Sequence, residues 1–149
     1  TLKKVGDYAV RLYVGVSVEK VYAMLFDNKM KLIDTVHLGD GSVNSVRLSM
    51  RPLAEKALKR SASSIILAHN HPNGTCYPSG DDIALTNQMA DFCDVLGLNL
   101  IDHIVVSGKY FTPIRRCKKQ SFMSASQTLS DEGGEKECAA YTVFDADKK

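Results

Sequence analysis

The chain has no apolar run approaching the ~20 residues that a membrane-spanning helix needs. Residues 1–16 contain neither the apolar segment nor the small-residue cleavage site of a secretory leader, so a cytosolic protein is expected. No C-x-x-C pair occurs among Cys76, Cys93, Cys117 and Cys138, which argues against a thiolate zinc site or a thioredoxin-like centre and leaves free thiols as the expectation. Charge of one sign is scarce too: the formal net charge is +2, too mild to imply general affinity for nucleic acid or membranes. No internal repeat is visible. What is present is an ordinary globular composition, 44% hydrophobic and 24% charged over 149 residues, enough for one domain with a real core.

Patterning then divides the chain. Tyr8, Val10, Leu12 and Val14 alternate, and predict a strand within residues 1–16. Residues 21–26 form a continuous apolar run; Asp27-Asn28-Lys29-Met30 reads as a turn and residues 31–36 as a returning strand, together a hairpin. Gly39-Asp40-Gly41-Ser42 reads as a loop. Ser49 and Pro52 open a short amphipathic helix carrying Leu53, Ala54, Ala57 and Leu58 and running to about Ser61. Residues 64–68 have the signature of a buried strand. A second helix is expected from Asp81, with Gly97 as its C-terminal cap, then a strand over 100–106 and a turn at 107–110. Such interleaving predicts a single layered α/β domain, a mixed sheet with flanking helices, over residues 1–114. From Arg115 the periodicity fades into a basic knot (Arg115, Arg116, Lys118, Lys119), a Ser/Gln stretch and an acidic end. Residues 115–149 are therefore read as a peripheral or partly disordered extension.

The chemistry concentrates in HNHPNGTCYPSGDD, residues 69–82. Side chains at i and i+2 of a strand share a face, so His69 and His71 can present ring nitrogens to one point, with Asn70 on the opposite face and not needed there. After a proline-punctuated loop, Asp82 in the first turn of the next helix can return to that point as a third ligand. Two imidazoles and a carboxylate leave a fourth tetrahedral position open, the arrangement of a catalytic zinc site. Ser79-x-x-Asp82 is equally a capping box, and two buried histidines would explain His-x-His. A catalytic metal also needs a carboxylate outside its coordination sphere to move protons. Glu19, just before the apolar strand, is the candidate, held at a sheet edge beside the metal strand; Glu55, mid-helix, is the rival and reads as exposed. His103, inside an apolar strand, reads as a hydrogen-bonded core histidine, His37 as exposed and Cys76 as a plain loop residue.

Glu19, His69-x-His71, seven intervening residues and Ser79-x-x-Asp82 resemble the JAMM motif of the MPN+/JAB metallopeptidases. The wording HNHPNG…PSGDDIALT followed by LGLNLIDHIVVSG is more closely similar to the RadC-type (UPF0758) branch, over about Glu19 to Phe111. The resemblance implies a cytidine-deaminase-like JAB/MPN fold and one zinc ion per chain held by His69, His71 and Asp82. It implies Glu19 as the acid/base that holds the catalytic water and Ser79 as a hydrogen-bond donor to the tetrahedral oxyanion. The reaction it implies is hydrolysis of a peptide or isopeptide amide in a protein or peptide substrate. Met50-Arg51-Pro52-Leu53 departs from the Pro-Arg-Glu wording of that branch. The helix-hairpin-helix region common in such proteins has no room before Glu19, so the JAB-like domain alone is expected.

Two other classes compete. A DNA-repair-associated or scaffold module that retains the metal without catalysis draws on the branch's name and on the basic knot. A zinc nucleobase deaminase would need His-x-Glu and Pro-Cys-x-x-Cys, and the sequence has neither.

Overall fold

The computed structural model describes residues 1–42 and 48–115, together with the backbone of 141–142. Its elements in chain order are α1 (Leu2–Leu12), β1 (Lys20–Phe26), β2 (Leu32–Asp40), α2 (Met50–Lys59), β3 (Ser64–Asn70), α3 (Gly80–Val95), β4 (Asn99–Ser107), β5 (Tyr110–Pro113) and β6 (Tyr141–Thr142). They build one six-stranded sheet in the order β2-β1-β3-β4-β5-β6. Only β3 and β4 run parallel, joined through α3; every other neighbouring pair is antiparallel. The expected mixed α/β sheet with flanking helices is the fold observed. Among the described residues, no helix is long and apolar enough to cross a membrane.

Alternation along the central strands divides the core in two. Val21, Ala23 and Leu25 of β1 and Ile65 and Leu67 of β3 pack with Leu53 and Ala57 of α2 and Met89 and Cys93 of α3. On the opposite face, Met24, Phe26, Ile66, Ala68 and Ile104 pack with Ala9, Val10 and Tyr13 of α1. β3 is buried along its whole length because helices cover both of its faces, which accounts for its unbroken apolar reading.

The start of the chain corrects the strand expectation. Residues 2–12 are helical, with Thr1 as N-cap accepting from the Lys4 amide. Tyr8 and Val10 do alternate, but Gly6, Ala9, Val10 and Tyr13 recur at three- and four-residue spacing, and these are the positions buried. Val14, the last member of the alternating set, is 76% exposed. The returning strand β2 also runs on through Gly39 and Asp40, which had read as loop. α2 begins after Ser49 as expected, though the Ser49 side chain makes no capping hydrogen bond. The 115–149 extension lies outside the described residues except for Arg115 and the two-residue β6, as do Arg116, Lys118, Lys119, Cys117 and Cys138. Cys76 and Cys93 are both free thiols, as expected.

Gly6 lets α1 approach the sheet. A Cβ added there would lie 2.1 Å from the ring of Phe111, which is wholly buried. Gly6→Val is therefore expected to lower unfolding free energy by roughly 2 kcal/mol, the overpacking cost outweighing the gain in helix propensity. Urea denaturation reads this directly, and Phe111→Leu in the same background should recover part of the loss. A Gly6→Val chain as stable as the parent would mean that α1 does not seat on Phe111.

Candidate metal centre

Three elements deliver the site. β3 ends in His69-Asn70, and the chain continues one residue further along β4, with the His71 amide donating to the Val106 carbonyl at 2.8 Å. His69 lies on the face of Ile65 and Leu67, towards α3, and His71 follows it there. The loop then crosses back, tied down by the Ser107 hydroxyl donating to the carbonyls of His71 (3.1 Å) and Gly74 (2.7 Å). Cys76 is more than a plain loop residue: it is buried, and its Sγ accepts from the Thr112 hydroxyl at 3.4 Å.

Ser79 opens α3 with both halves of a capping box. Its hydroxyl accepts from the Asp82 amide at 3.2 Å, and its own amide donates to Asp82 Oδ2 at 2.7 Å. The cap orients the Asp82 carboxylate instead of competing with a ligand role. Asp82 Oδ1 is 2.9 Å from His69 Nε2, Oδ2 is 3.4 Å from His71 Nε2, and the two Nε2 atoms are 2.9 Å apart. A tetrahedral zinc site with bonds of ~2.0–2.1 Å places neighbouring donors ~3.3 Å apart, close to this spacing. His71 Nδ1 donates to the Thr75 carbonyl at 2.7 Å, so Nε2 of the neutral ring carries the lone pair. His69, His71 and Asp82 are thus positioned to hold a metal ion. The donor chemistry fits, because two ring nitrogens and a carboxylate gathered this closely need a proton or a cation between them.

Charge follows the geometry. Burial pushes the Asp82 carboxyl up, but the His69 and His71 rings set against it and the Ser79 amide outweigh it and hold the group far below the usual carboxylate range. Hydrogen bonding to Asp82 raises His71 above its ordinary value; burial opposes, while the Thr75 carbonyl and the charges of Asp82 and Glu19 assist. His103 is fully buried, and burial, reinforced by His69 beside it, holds its imidazole well below the usual histidine range. His103 is the hydrogen-bonded core histidine expected, but with a partner the sequence did not disclose. Its Nε2 lies 2.7 Å from His69 Nδ1, and its Nδ1 lies 2.7 Å from Thr86 Oγ1.

Glu19 lies one residue before β1, on the wall of a cleft of about 580 Å³ that His71, Ser79 and Asp82 also line. β1 is not a sheet edge, as had been expected, but sits between β2 and β3. Val21 pairs with His69, so Glu19, two residues earlier, falls on the ligands' side of the sheet. Asn70, set aside as uninvolved, brackets it: its Nδ2 donates to the Val18 carbonyl at 3.0 Å and its Oδ1 accepts from the Lys20 amide at 2.8 Å. The Gly41 amide adds a bond to the Glu19 carbonyl at 2.8 Å. The available signal was a short amide side chain between two ligands at a strand end, where an unpaired neighbouring backbone needs partners. Glu55 is remote in character, an exposed partner of Arg51 on α2, and His37 is exposed beside Asp40.

Metal affinity should fall as pH is lowered through the raised His71 range, by about tenfold per unit for each proton displaced, as titrations with Zn²⁺ at pH 6, 7 and 8 would show. The metal-free chain responds in the opposite sense. The same shift stabilises it fully below pH 6.5, and that contribution is lost as pH rises through the higher folded value. Asn70→Ala should speed hydrogen exchange of the Lys20 amide on the order of tenfold, the worth of about one lost hydrogen bond. An unchanged Lys20 rate would remove the bracket.

Known proteins match this chain in the same region. The profile of the RadC-like JAB domain family matches residues 1–118. A UPF0758 protein of Actinobacillus pleuropneumoniae serotype 5b is 41% identical over 95 residues, 63% of this chain and 43% of that protein. One from Finegoldia magna is 36% identical over 99 residues, 66% of this chain and 44% of its own length. One from Aquifex aeolicus is 38% identical over 95 residues, 63% and 41% respectively. The chain spans less than half the length of these relatives. With the family profile covering more than three quarters of its length, the chain belongs to the RadC-like JAB domain family.

Proposed function

We propose that the protein is a zinc-dependent hydrolase of peptide or isopeptide amide bonds. The observation that carries this reading is a carboxylate outside the ligand set, Glu19, on the wall of the cleft that His71 and Asp82 of the three-residue cluster also line. Three protein ligands match a catalytic site with an open position better than a closed structural one. Held by His69, His71 and Asp82, a zinc ion would make water more acidic and polarise the amide carbonyl.

The chain's own groups do the rest. Glu19 accepts the proton of the attacking water as its oxygen bonds to the carbonyl carbon. The same carboxyl then protonates the nitrogen as the carbon–nitrogen bond breaks, yielding an acid and an amine. Ser79 accepts the Asp82 amide through a lone pair, which leaves its own O–H to donate to the oxygen that gains charge. Asn70 and Gly41 hold the backbone on either side of Glu19, limiting how far its carboxylate can wander. The cleft is lined by Glu19, Asp81 and Asp82 with no lysine or arginine among the described residues, a poor surface for a phosphate backbone. Association with DNA, the competing reading, therefore finds no support at the cleft.

Zinc-loaded protein assayed on short peptides and on ε-amide conjugates of lysine should release free amine. Glu19→Gln should keep about one zinc per chain and lose 10²- to 10⁴-fold in turnover, the usual worth of a positioned acid/base. Full zinc content with no turnover above that of free zinc would leave a metal-holding module.

A further inference from the structure

The cluster behind His69 is not part of the ligand set, and its hydrogen bonding has one consistent solution. Thr86 Oγ1 lies 2.6 Å from the carbonyl oxygen of Asp82. A carbonyl oxygen has no proton to give, so the threonine's single hydroxyl hydrogen points there. The second contact of Oγ1, with His103 Nδ1 at 2.7 Å, then requires an N–H on His103. His103 has no exposed surface, and its ring nitrogens meet the Thr86 hydroxyl, the Asp82 backbone carbonyl and the His69 imidazole. A cation in that position would be buried against neutral partners, so the ring carries one proton, on Nδ1, and its Nε2 is an acceptor. The nitrogen 2.7 Å from that acceptor, His69 Nδ1, must be the donor.

We infer that His103 and Thr86 are positioning residues that hold a proton on His69 Nδ1 and thereby keep His69 Nε2 bare towards the metal. The relay runs from His69 on β3 through His103 on β4 and Thr86 on α3 to the backbone of Asp82. It therefore begins at one ligand and ends at another, and it fixes the spacing of the two strands and the helix while it fixes the tautomer. With the proton on Nε2 instead, His69 would turn an N–H towards the place where the ligands converge. His71 reaches the same state by a shorter route, through the Thr75 carbonyl. Outer partners of metal-binding histidines are typically worth 10- to 100-fold in affinity.

The inference rests on the metal-holding role of His69, and its test separates the two. Long-range ¹H–¹⁵N correlation spectra of the metal-free parent report which nitrogens of His69 and His103 carry protons. Protons on Nδ1 of both rings are expected, with a non-protonated Nε2 on His103; a bare Nδ1 on His69 would overturn the relay, whatever the metal does. After addition of Zn²⁺ alone, Nδ1–H of His69 should persist while Nε2 shifts, and zinc on Nδ1 would equally overturn it. Thr86→Val, which removes the hydroxyl at nearly constant shape, should weaken Zn²⁺ binding 10- to 100-fold. Thr86→Ser should stay within about threefold of the parent. Equal affinity in parent and Thr86→Val would reduce Thr86 to packing and remove it from the relay. Absence of zinc uptake by a parent with the expected tautomers would refute the metal reading and leave the relay standing.

Discussion

The antiparallel pairing of Val21 with His69 is the constraint on which the remainder of the site depends. Because side chains alternate across a strand, that single register places Glu19 on the face that His69 and His71 share. A slip of one residue would turn Glu19 towards α1 and leave the ligands without a neighbouring carboxylate. Asn70 reinforces the register where the ladder ends. Its side chain substitutes for main-chain partners at Val18 and Lys20 and carries the pairing back beyond the first residue of β1. The segment holding Glu19 is thereby fastened to the strand that holds the metal ligands.

A second register has comparable weight. Between β3 and β4, Ile65 pairs with Leu100 but Ile66 pairs with Asp102, so β4 carries one extra residue. Such a bulge inverts the facing of everything that follows. Leu100 packs with α3, and without the bulge Asp102 and Ile104 would follow it to that side. With the bulge, His103 sits opposite Leu67 and meets His69 and Thr86, while Ile104 and Val106 pack with α1. Asp102 instead accepts the amides of His103 and Arg115. One inserted residue thus exchanges a carboxylate for an imidazole beside the ligand.

Burying this many polar groups costs free energy unless their hydrogen bonds are made. His69, Asp82, Thr86 and His103 are all essentially inaccessible, yet the capping box, the histidine pair and the Thr86 hydroxyl leave few capacities unused. What remains are the lone pairs directed at one point, which a cation satisfies.

Local rules carried much of this from the sequence alone. The His-x-His spacing at a strand end, the proline-broken loop and the Ser-x-x-Asp start of α3 act over short chain distances, so the three ligands were legible before any tertiary contact was known. The apolar runs of β1 and β3, the cap at Ser79 and the turn at residues 27–30 were legible for the same reason. Glu19 was reachable through its place before β1 and its resemblance to a motif, but not through local geometry. The opening segment misled because a short run can satisfy period two and period 3.6 together; packing of Gly6 and Ala9 against the sheet decided for the helix. Only the tertiary structure assigned work to Asn70, Thr86 and His103. Their roles come from strand register, a bulge and a helix laid across two strands, and these bring together residues 17 to 52 positions apart that no local pattern relates.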